Sequence, residues 1–387
     1  MHSCLNRREM LGVLSGAALC GRIRAASAPT APVAVARCPS YGSEVLPTLE
    51  KMFDQLGGVG RIVRGKTVAI KLNLTGSPWQ RFGYAPIGDS HWVNPRVVAA
   101  VVHLFGRAGA QRIRLLESPW CTTEPLEEWM LAGEWDPQEF LSAAPKVEFE
   151  NTNYLGRAKK YTRLPVPNGG IMFNAFDLNH SYVDCDVFVS LTKLKEHINA
   201  GMTASMKNCF GITPCTIYGV GAGVDEPGEV PLGGRSSLHV GNRQPSKSSL
   251  PENDPSSPRE AGYRLPRIVA DLVAARPIHL GIVEGVRAMS GGEGPWAHGR
   301  RRQCELVNPG VLIAGTNPVT TDTVCAGIMG FDPMADRGAP PFEIADSTMR
   351  FGEQHGIGTR DIGRIEVIGT PIRDVRFDFR AHSKVVG

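Results

Sequence analysis

Short, mainly apolar runs alternate along this chain with stretches in which apolar side chains recur every three or four residues. The apolar runs occupy residues 33–36, 67–73, 112–117, 186–191, 278–284, 311–314, 365–368 and 375–377, and the helical spacing occupies 45–56, 94–109, 268–275 and 318–329. Runs of this length with few polar residues are typical of strands that are buried on both faces. Such strands in alternation with amphipathic helices predict an α/β fold, with a mostly parallel sheet and helices on both faces.

Two segments interrupt this alternation. Residues 118–161 contain three tryptophans and a helical stretch, and we expect them to form an addition at the edge of the sheet. Residues 219–262 contain six prolines and many Gly and Ser residues, with almost no apolar period. A segment of this composition cannot bury a core of its own. We therefore expect a flexible insertion there, in the form of a loop, a lid or a partly disordered stretch.

The first 28 residues have the layout of an export leader. Arg7 and Arg8 precede the weakly apolar stretch 11–20, and further arginines and small residues follow it. Consecutive arginines before such a stretch are typical of twin-arginine signal peptides, and the alternative is an amphipathic N-terminal tail. We expect residues 1–28 to be a signal peptide, residues 29–387 to be the mature domain, and the protein to be periplasmic or otherwise exported.

Composition and charge exclude several classes of protein. With 42% hydrophobic and 21% charged residues, the chain is too apolar to be disordered. No apolar run approaches the ~20 residues of a membrane span, so we expect no integral membrane segment after leader removal. The net charge of +4 falls to +1 without residues 1–27. Because no basic tract remains, we expect no nucleic-acid partner.

Charged and amide side chains cluster where the strand-like runs end. In an open parallel sheet, ligands bind beyond the carboxyl ends of the strands. These ends carry Lys71, Asn73, Glu117, Lys193, Lys195, His197 and Glu284. Lysine is rarely buried without a partner, so the lysines indicate either ion pairs with Glu117 and Glu284 or a small anionic ligand. We expect the lysines and Asn73 to bind that ligand, and His197, Glu117 and Glu284 to be the catalytic acid–base groups.

A second group of polar residues occupies the stretch 201–211. A short helix is predicted there, and its first N–H groups would suit a phosphate or carboxylate. Lys207 and Asn208 lie one turn further on, and we expect both to bind the ligand. Asp322, near the start of the predicted helix 318–329, is the last expected ligand-binding residue, with stabilisation of the helix dipole as the alternative. The glycine-rich stretch 290–296 either wraps a ligand or forms a surface turn.

The chain contains no familiar nucleotide or metal motif. It lacks a Walker loop, a GxGxxG turn after its first strand, a GxSxG elbow and an HExxH helix. Seven cysteines remain after the leader and none is in a CxxC pair, which is not typical of a zinc ribbon or an iron–sulfur module. Cys209 and Cys215 are close enough in sequence to indicate a pair or a metal site. The metal and the cofactor remain unknown from the sequence.

Taken together, these motifs resemble those of the DUF362 family. The resemblance runs from about residue 67 to residue 330. It rests on Lys71-Leu72-Asn73, the Asn94-Pro95 helix that leads into 112–117, Lys193-x-Lys195-x-His197, Lys207-Asn208-x-x-Gly211 and the stretch 315–322. Members of that family are often exported with twin-arginine leaders, and others carry ferredoxin-type cluster domains. The activity of the family is unknown. The resemblance therefore implies a fold and the location of a site, and no particular reaction.

Three functions fit these residues. The first is an exported enzyme that acts on an anionic small molecule. Redox or metal-assisted chemistry is favoured for it, because twin-arginine export suits proteins that fold around a cofactor in the cytoplasm. The second is a periplasmic protein that binds a ligand or a cofactor without turnover. The third is a structural or partner-binding domain in which the lysines are ion-paired.

Overall fold

A computed structural model describes residues 27–120, 124–153, 161–228 and 234–386. Nearly all of the expected leader, residues 1–28, therefore lies outside the described residues. In the described ranges, no helix is both long enough and apolar enough to cross a membrane.

The strands of these ranges are named in chain order. They are β1 (Val33–Arg37), β2 (Thr67–Lys71), β3 (Arg112–Glu117), β4 (Val147–Asn151), β5 (Tyr161–Pro165), β6 (Ala175–Asn179), β7 (Val187–His197), β8 (Gly201–Thr203), β9 (Leu280–Ser290), β10 (Glu305–Val307), β11 (Val311–Gly315) and β12 (Val367–Gly369).

The helices are named in the same way. They are α1 (Val45–Gln55), α2 (Gly60–Val63), α3 (Ile87–Ser90), α4 (Pro95–Arg107), α5 (Leu126–Ala132), α6 (Pro137–Ala143), α7 (His180–Val183), α8 (Ser205–Asn208), α9 (Cys215–Tyr218), α10 (Ser236–His239), α11 (Ala261–Ala275), α12 (Pro318–Ile328), α13 (Thr348–Gln354) and α14 (Ile372–Val375).

One large sheet organises the molecule, with the strand order β12-β1-β11-β9-β7-β2-β3-β4. Strands β9, β7, β2, β3 and β4 run parallel to one another, and β1 runs parallel to β12. Strand β11 is antiparallel to both β1 and β9. The short strands β8 and β10 pair with β7 and β9, and β5 and β6 form a separate hairpin. The mostly parallel sheet confirms the α/β fold that the alternation predicts.

Successive side chains of the central strands enter two different cores. On β7, Val187, Val189 and Leu191 belong to the core that also contains the apolar faces of α1 and α4. Phe188 and Leu194 belong to the core that contains the apolar faces of α11 and α12. Because helices cover both faces of the sheet, both sets of side chains are buried. This burial explains why the strands read as continuous apolar runs.

Two of the longer helices begin at an Asn-Pro pair. The Asn94 side chain accepts a hydrogen bond from the backbone N–H of Arg96, and Pro95 is the first residue of α4. Asn317 in the same way accepts from backbone N–H groups at the start of α12, whose first residue is Pro318. Asparagine at the cap and proline at the first helical position satisfy free N–H groups and fix the first backbone angle. The sequence-predicted start of α4 is thereby explained.

The structure differs from the predicted elements in several places. Strand β7 continues to His197, beyond the predicted end at residue 191, and β9 continues to Ser290, beyond the predicted end at residue 284. Helix α11 begins at Ala261, seven residues before its predicted start. Residues 375–377 were predicted as a strand, and this is wrong, because Pro371 caps a short helix that ends at Val375. Residues 118–161 contribute α5, α6 and the edge strand β4 in their described part, which agrees with an addition at the sheet edge.

The insertion 219–262 is held by buried polar contacts in its described part. Glu252 forms ion pairs with Arg259 and Arg264, and the side chains of Glu252 and Arg264 are fully buried. The Ser237 hydroxyl donates to the backbone carbonyl of Tyr218 at 2.7 Å. Buried charges need such partners. These contacts take the place of the apolar core that the composition of the segment does not provide.

Candidate functional site

A cavity of about 320 Å³ lies beyond the carboxyl ends of β2, β3 and β7. Its volume is near the lower end of the ~300–1,000 Å³ that is typical of small-molecule sites. Seven of the ten expected site residues line it: Lys71, Asn73, Glu117, Lys195, His197, Lys207 and Asn208. This edge of an open α/β sheet is where such folds bind ligands.

Lys71, at the end of β2, is paired with Glu117, at the end of β3. The distance between Nζ and Oε1 is 2.5 Å, and both side chains are almost fully buried. Glu117 also accepts hydrogen bonds from the backbone N–H groups of Leu74 (2.8 Å) and Ser118 (3.0 Å). Burial lowers the pKa of Lys71, and the Glu117 carboxylate opposes that shift. The pair therefore joins two strand ends at the cavity wall.

Two asparagines connect the lysines of the cavity. Asn208 Oδ1 accepts hydrogen bonds from Lys71 Nζ (3.3 Å) and Asn73 Nδ2 (3.2 Å). Asn73 Oδ1 accepts from Lys195 Nζ at 2.8 Å, and Lys195 also donates to the backbone carbonyl of His91. Among the residues that the structure describes, no carboxylate pairs with Lys195. Burial, aided by the neighbouring lysines, holds the pKa of Lys195 well below its usual value.

Lys207 and Arg235 place two further cations on the cavity wall. Lys207 Nζ lies 5.2 Å from the centre of the Phe210 ring, and within the described ranges it forms no hydrogen bond and no ion pair. Arg235 donates to three backbone carbonyl groups and, in the same ranges, to no carboxylate. Burial lowers the pKa of Lys207 to about 8, and the charge of Arg235 acts in the same direction.

The two histidines of the cavity have opposite hydrogen-bonding patterns. His197 Nδ1 accepts from the backbone N–H of Asn199 at 3.1 Å, so the proton of the neutral ring is on Nε2. His239 Nδ1 lies 3.2 Å from the carbonyl oxygen of Arg235, so here Nδ1 carries the proton and Nε2 is an acceptor. Burial, followed by the charge of Lys207, holds the pKa of His197 well below its usual value and lowers the pKa of His239 to about 4. Both rings are therefore neutral near pH 7.

The glycine-rich stretch 290–296 contributes Glu293 and Trp296 to the cavity wall. Glu293 accepts hydrogen bonds from the backbone N–H of Ile198 and from Trp296 Nε1, both at 3.1 Å. Its carboxylate lies 3.9 Å from His197 Nδ1. Two side chains of this glycine-rich stretch therefore belong to the cavity wall.

A tight hairpin brings Lys195 and His197 to the cavity. Strand β7 turns back after His197 into β8, and His197 pairs with Gly201. Gly201 has a φ of +73°, and a Cβ atom there would lie 2.4 Å from the Phe342 ring. Only glycine adopts this backbone angle readily and leaves that space. The hairpin therefore extends β7 past the sheet and presents its last residues at the site.

Helix α8 presents Lys207 and Asn208, and Asp322 of α12 caps its first turn. The Asp322 carboxylate accepts from the backbone N–H groups of Ser205 (2.8 Å) and Met206 (3.0 Å), and the Ser205 hydroxyl also donates to it. Burial raises the pKa of Asp322 to about 7. Asp322 lies behind α8, outside the cavity wall, so its contacts are those of a positioning residue.

Gly211 allows the chain after α8 to approach the Lys71–Glu117 pair. A Cβ atom at residue 211 would lie 2.9 Å from Lys71 Nζ and 3.3 Å from Glu117 Oε1. Any side chain would therefore displace a partner of the ion pair. This close approach accounts for glycine at the end of the motif that contains Lys207 and Asn208.

Lys193 and Glu284 lie together, away from the cavity. They form a fully buried ion pair between β7 and β9. The Tyr41 hydroxyl donates to Glu284 at 2.9 Å and accepts from Lys193 at 2.7 Å. Lys193 lies on the sheet face of Val189 and Leu191, where helices cover it. For these two residues, the structure contains the ion pair that the sequence leaves open as an alternative to ligand binding.

Further residues of the cavity wall carry no signal of their own in the sequence. Arg235 and His239 belong to the insertion 219–262, and Trp120 belongs to the edge addition. The expectation of a lid next to the charged motifs is the one indication that the insertion reaches the site. Thr203 also belongs to the cavity wall, and its buried hydroxyl has no hydrogen-bond partner in the described part of the chain.

The described residues form no cluster of metal-ligating side chains. Across the four described ranges, no three His, Cys, Asp or Glu side chains come close enough together to hold a metal ion. Cys209 is a free, buried thiol, and burial raises its pKa to about 12. The Cys209–Cys215 disulfide that the spacing indicates as one alternative is therefore not formed.

Comparison with known proteins places this site within a family. Residues 68–327 match the family described as "Domain of unknown function (DUF362)". A thylakoid-associated protein of Synechocystis sp. is 29% identical over 184 residues, which are 47% of this chain and 50% of that protein. The chain thus spans about half the length of this curated relative.

Two solved structures are similar to part of this chain. One is the crystal structure of a Thermotoga maritima protein, with 14% identity and a TM-score of 0.28, covering 46% of this chain and 40% of that one. The other is the lactate racemase apoprotein of Thermoanaerobacterium thermosaccharolyticum, with 11% identity and a TM-score of 0.32, covering 65% of this chain and 50% of that one. At these TM-scores neither likeness bears on activity.

Proposed function

The chain belongs to the DUF362 family, and from that premise we propose that it is an exported enzyme that binds a small organic anion in the cavity at the carboxyl edge of its sheet. One observation carries the proposal. Lys195, Lys207 and Arg235 line the cavity, and none of them has a carboxylate partner in the described part of the chain. Burying a cation without a countercharge costs free energy. Apart from Glu117, which is already in an ion pair, Glu293 is the one carboxylate that the described residues contribute to this cavity wall, and it balances a single charge. A carboxylate or phosphate group of the ligand supplies the further countercharge.

The remaining wall fits an anion with an apolar body. Trp120, Phe210 and Trp296 contribute aromatic surface to the same cavity. Small-molecule sites combine such surface with a few polar groups that orient the ligand. The unpartnered hydroxyl of Thr203 is one such polar group. We therefore infer a ligand with an acidic group and an apolar or aromatic portion.

Proton transfer at the site would involve His197 more directly than the expected carboxylates. Both Glu117 oxygens already accept hydrogen bonds from Lys71 or the backbone, and Glu284 is held in its own buried pair. His197 lines the cavity with its Nε2 proton as a donor. Several groups with perturbed pKa values in one cavity are typical of catalytic sites. A binding protein without turnover would use the same contacts and would differ only in lacking a product.

Thermal unfolding with a panel of anions tests the binding proposal. Phosphate, succinate, benzoate and citrate are added at constant ionic strength, and titration calorimetry is run on any that raise the melting temperature. A ligand whose free concentration is a hundred times its Kd raises the free energy of unfolding by about 2.7 kcal/mol. We expect Arg235→Gln and Lys207→Met to reduce the shift, and Lys51→Met, on the exposed face of α1, to leave it unchanged. Equal shifts in all four proteins, or none in the wild type, would contradict the proposal.

Redox or metal-assisted chemistry at this site requires a direct measurement. The described residues bring no three metal ligands together, so no particular metal is proposed. Elemental analysis and a UV–visible spectrum of the protein exported through its own leader test for a bound cofactor. A stoichiometric metal or a chromophore would add a cofactor to the proposed enzyme.

Export is proposed from residues 1–28, nearly all of which lie outside the described residues. The intact mass of the mature protein should correspond to a chain that begins near residue 28. Replacing Arg7 and Arg8 together by lysine should retain the full-length chain inside the cell, because the twin-arginine pathway reads the consecutive arginines. A mature protein that begins at Met1 would refute export.

A further inference from the structure

We propose that the amine of Lys207 is the nucleophile of this site, and that it binds a small anionic carbonyl compound, such as a 2-oxo acid, covalently as an imine. This inference rests on the proposed function, because the anion-binding cations hold the substrate beside the amine. It adds to that function the class of substrate and the residue that forms a bond to it.

Three lysines line the cavity, and their amines differ in what they contact. Lys71 Nζ is bound to the Glu117 carboxylate at 2.5 Å. Lys195 Nζ donates to Asn73 and to a backbone carbonyl group. Lys207 Nζ has no hydrogen bond or ion pair to any described residue, and its contact is the face of the Phe210 ring. Lys207 can therefore attack a ligand without breaking an existing interaction.

The surroundings of Lys207 also favour the neutral amine, which is the reactive form. Burial lowers the pKa of Lys207 to about 8; the Glu293 carboxylate opposes this shift, and the charges of Arg235 and Lys71 add to it. About a tenth of the amine is then unprotonated at pH 7, compared with less than a thousandth for an ordinary lysine with a pKa near 10.4. Desolvation and a neighbouring cation are both recognised ways of activating a lysine nucleophile.

The cavity provides the other groups that the step needs. The Nζ lone pair forms a bond to the carbonyl carbon while the π electrons of the C=O bond move to oxygen, which takes up a proton. Nitrogen then loses a proton, the hydroxyl takes up a second proton and leaves as water, and nitrogen loses its second proton, so amine and carbonyl compound give imine and water. His197 Nε2–H is a proton donor and His239 Nε2 a proton acceptor in the same cavity. Arg235 would hold the acid group, and Lys195 would donate a hydrogen bond to it.

Reductive trapping tests this inference. The folded mature protein is incubated with pyruvate or phenylpyruvate and sodium cyanoborohydride, which converts an imine to a stable secondary amine, and the adduct is located by peptide mass spectrometry. We expect one adduct per chain, on Lys207. Lys207→Arg keeps the charge and removes the nucleophile, so it should lose the adduct while it keeps its fold and its thermal shift with phosphate or pyruvate.

The pH dependence gives a second readout. Trapping at Lys207 should increase with pH and level off above about 8, whereas trapping at an exposed lysine should continue to increase towards pH ~10. An adduct mainly on another lysine, or no adduct although pyruvate raises the melting temperature, would overturn the inference and leave anion binding intact. If neither pyruvate nor the other anions bind, the proposed function fails, and the inference fails with it.

Discussion

Replacing Glu117 by glutamine should destabilise the protein by about 3–5 kcal/mol, the usual cost of breaking a buried ion pair. The Lys71 and Glu117 side chains are 2% and 5% exposed, so water cannot solvate the lysine that remains. Lys71 Nζ would retain only neutral acceptors, the Leu72 carbonyl at 2.5 Å and the Asn208 amide oxygen at 3.3 Å. The destabilisation should therefore be far larger than that of a surface substitution.

A double-mutant cycle isolates the charge pair. Lys71→Met leaves the Glu117 carboxylate unpaired, and the double variant removes both charges. The double variant should cost less than the sum of the two single variants, by about 2 kcal/mol. Glutamine keeps only one of the two oxygens that accept hydrogen bonds from the backbone N–H groups of Leu74 and Ser118. This loss is the same in the Glu117→Gln variant and in the double variant, so it cancels in the cycle. Urea unfolding, followed by tryptophan fluorescence and far-UV circular dichroism, gives the free energies if the two transitions coincide.

An exposed pair is the matched control. Lys247 and Asp225 are 2.8 Å apart, with side chains 73% and 77% exposed, so Asp225→Asn should change the free energy of unfolding by less than about 1 kcal/mol. If the Lys71 and Glu117 variants are additive within about 0.5 kcal/mol, or if Asp225→Asn costs as much as Glu117→Gln, burial does not determine the strength of these pairs and the reasoning is refuted.

Three further predictions concern the cavity. Gly211→Ala should lower the free energy of unfolding by about 1–3 kcal/mol, because the added Cβ displaces Lys71. Gly60→Ala, at the start of α2, is the control, and equal urea midpoints for the two variants would contradict the prediction. Thr203→Val should leave the urea midpoint unchanged, since the hydroxyl has no described partner, and calorimetry should show weaker anion binding; unchanged affinity would mean that the hydroxyl does not contact the ligand. Anion affinity should fall as the pH rises through about 8, because Lys207 is protonated below that pH and neutral above it. In Lys207→Met the affinity should change little between pH 7 and 9; a fall as steep as that of the wild type would mean that another group causes the pH dependence.

Elements with local signals could be predicted from the sequence. Strand β3 was predicted at residues 112–117, where the structure has it, because its apolar run ends at a charged residue. Helix α4 was predicted over residues 94–109, and it begins at Pro95 because the adjacent asparagine caps it. The extension of β7 to His197 depends on pairing with β8 and on Gly201, which are tertiary features. The antiparallel insertion of β11 between β1 and β9 likewise has no local signature.

The candidate site could be predicted in part for the same reason. Lys71 and Glu117 were identifiable because each ends a strand, and the carboxyl ends of parallel strands meet at one edge. Which lysine has a countercharge could not be predicted, because it depends on the sheet face and on neighbouring loops. Arg235 reaches the cavity from a segment with no apolar period, so periodicity could not place it.

The position of β1 in the sheet determines when its backbone hydrogen bonds can form during synthesis of the chain. Val33 pairs with Gly315 on one side and with Val367 on the other, so both neighbours of β1 are synthesised hundreds of residues after it. While the chain is being made, β1 has no partner for its backbone groups, and contacts so distant in sequence form slowly. A truncated chain that lacks β12 would leave one edge of β1 bare, and bare strand edges promote aggregation. The pairing of this sheet edge can therefore be completed only after residue 369 has been synthesised.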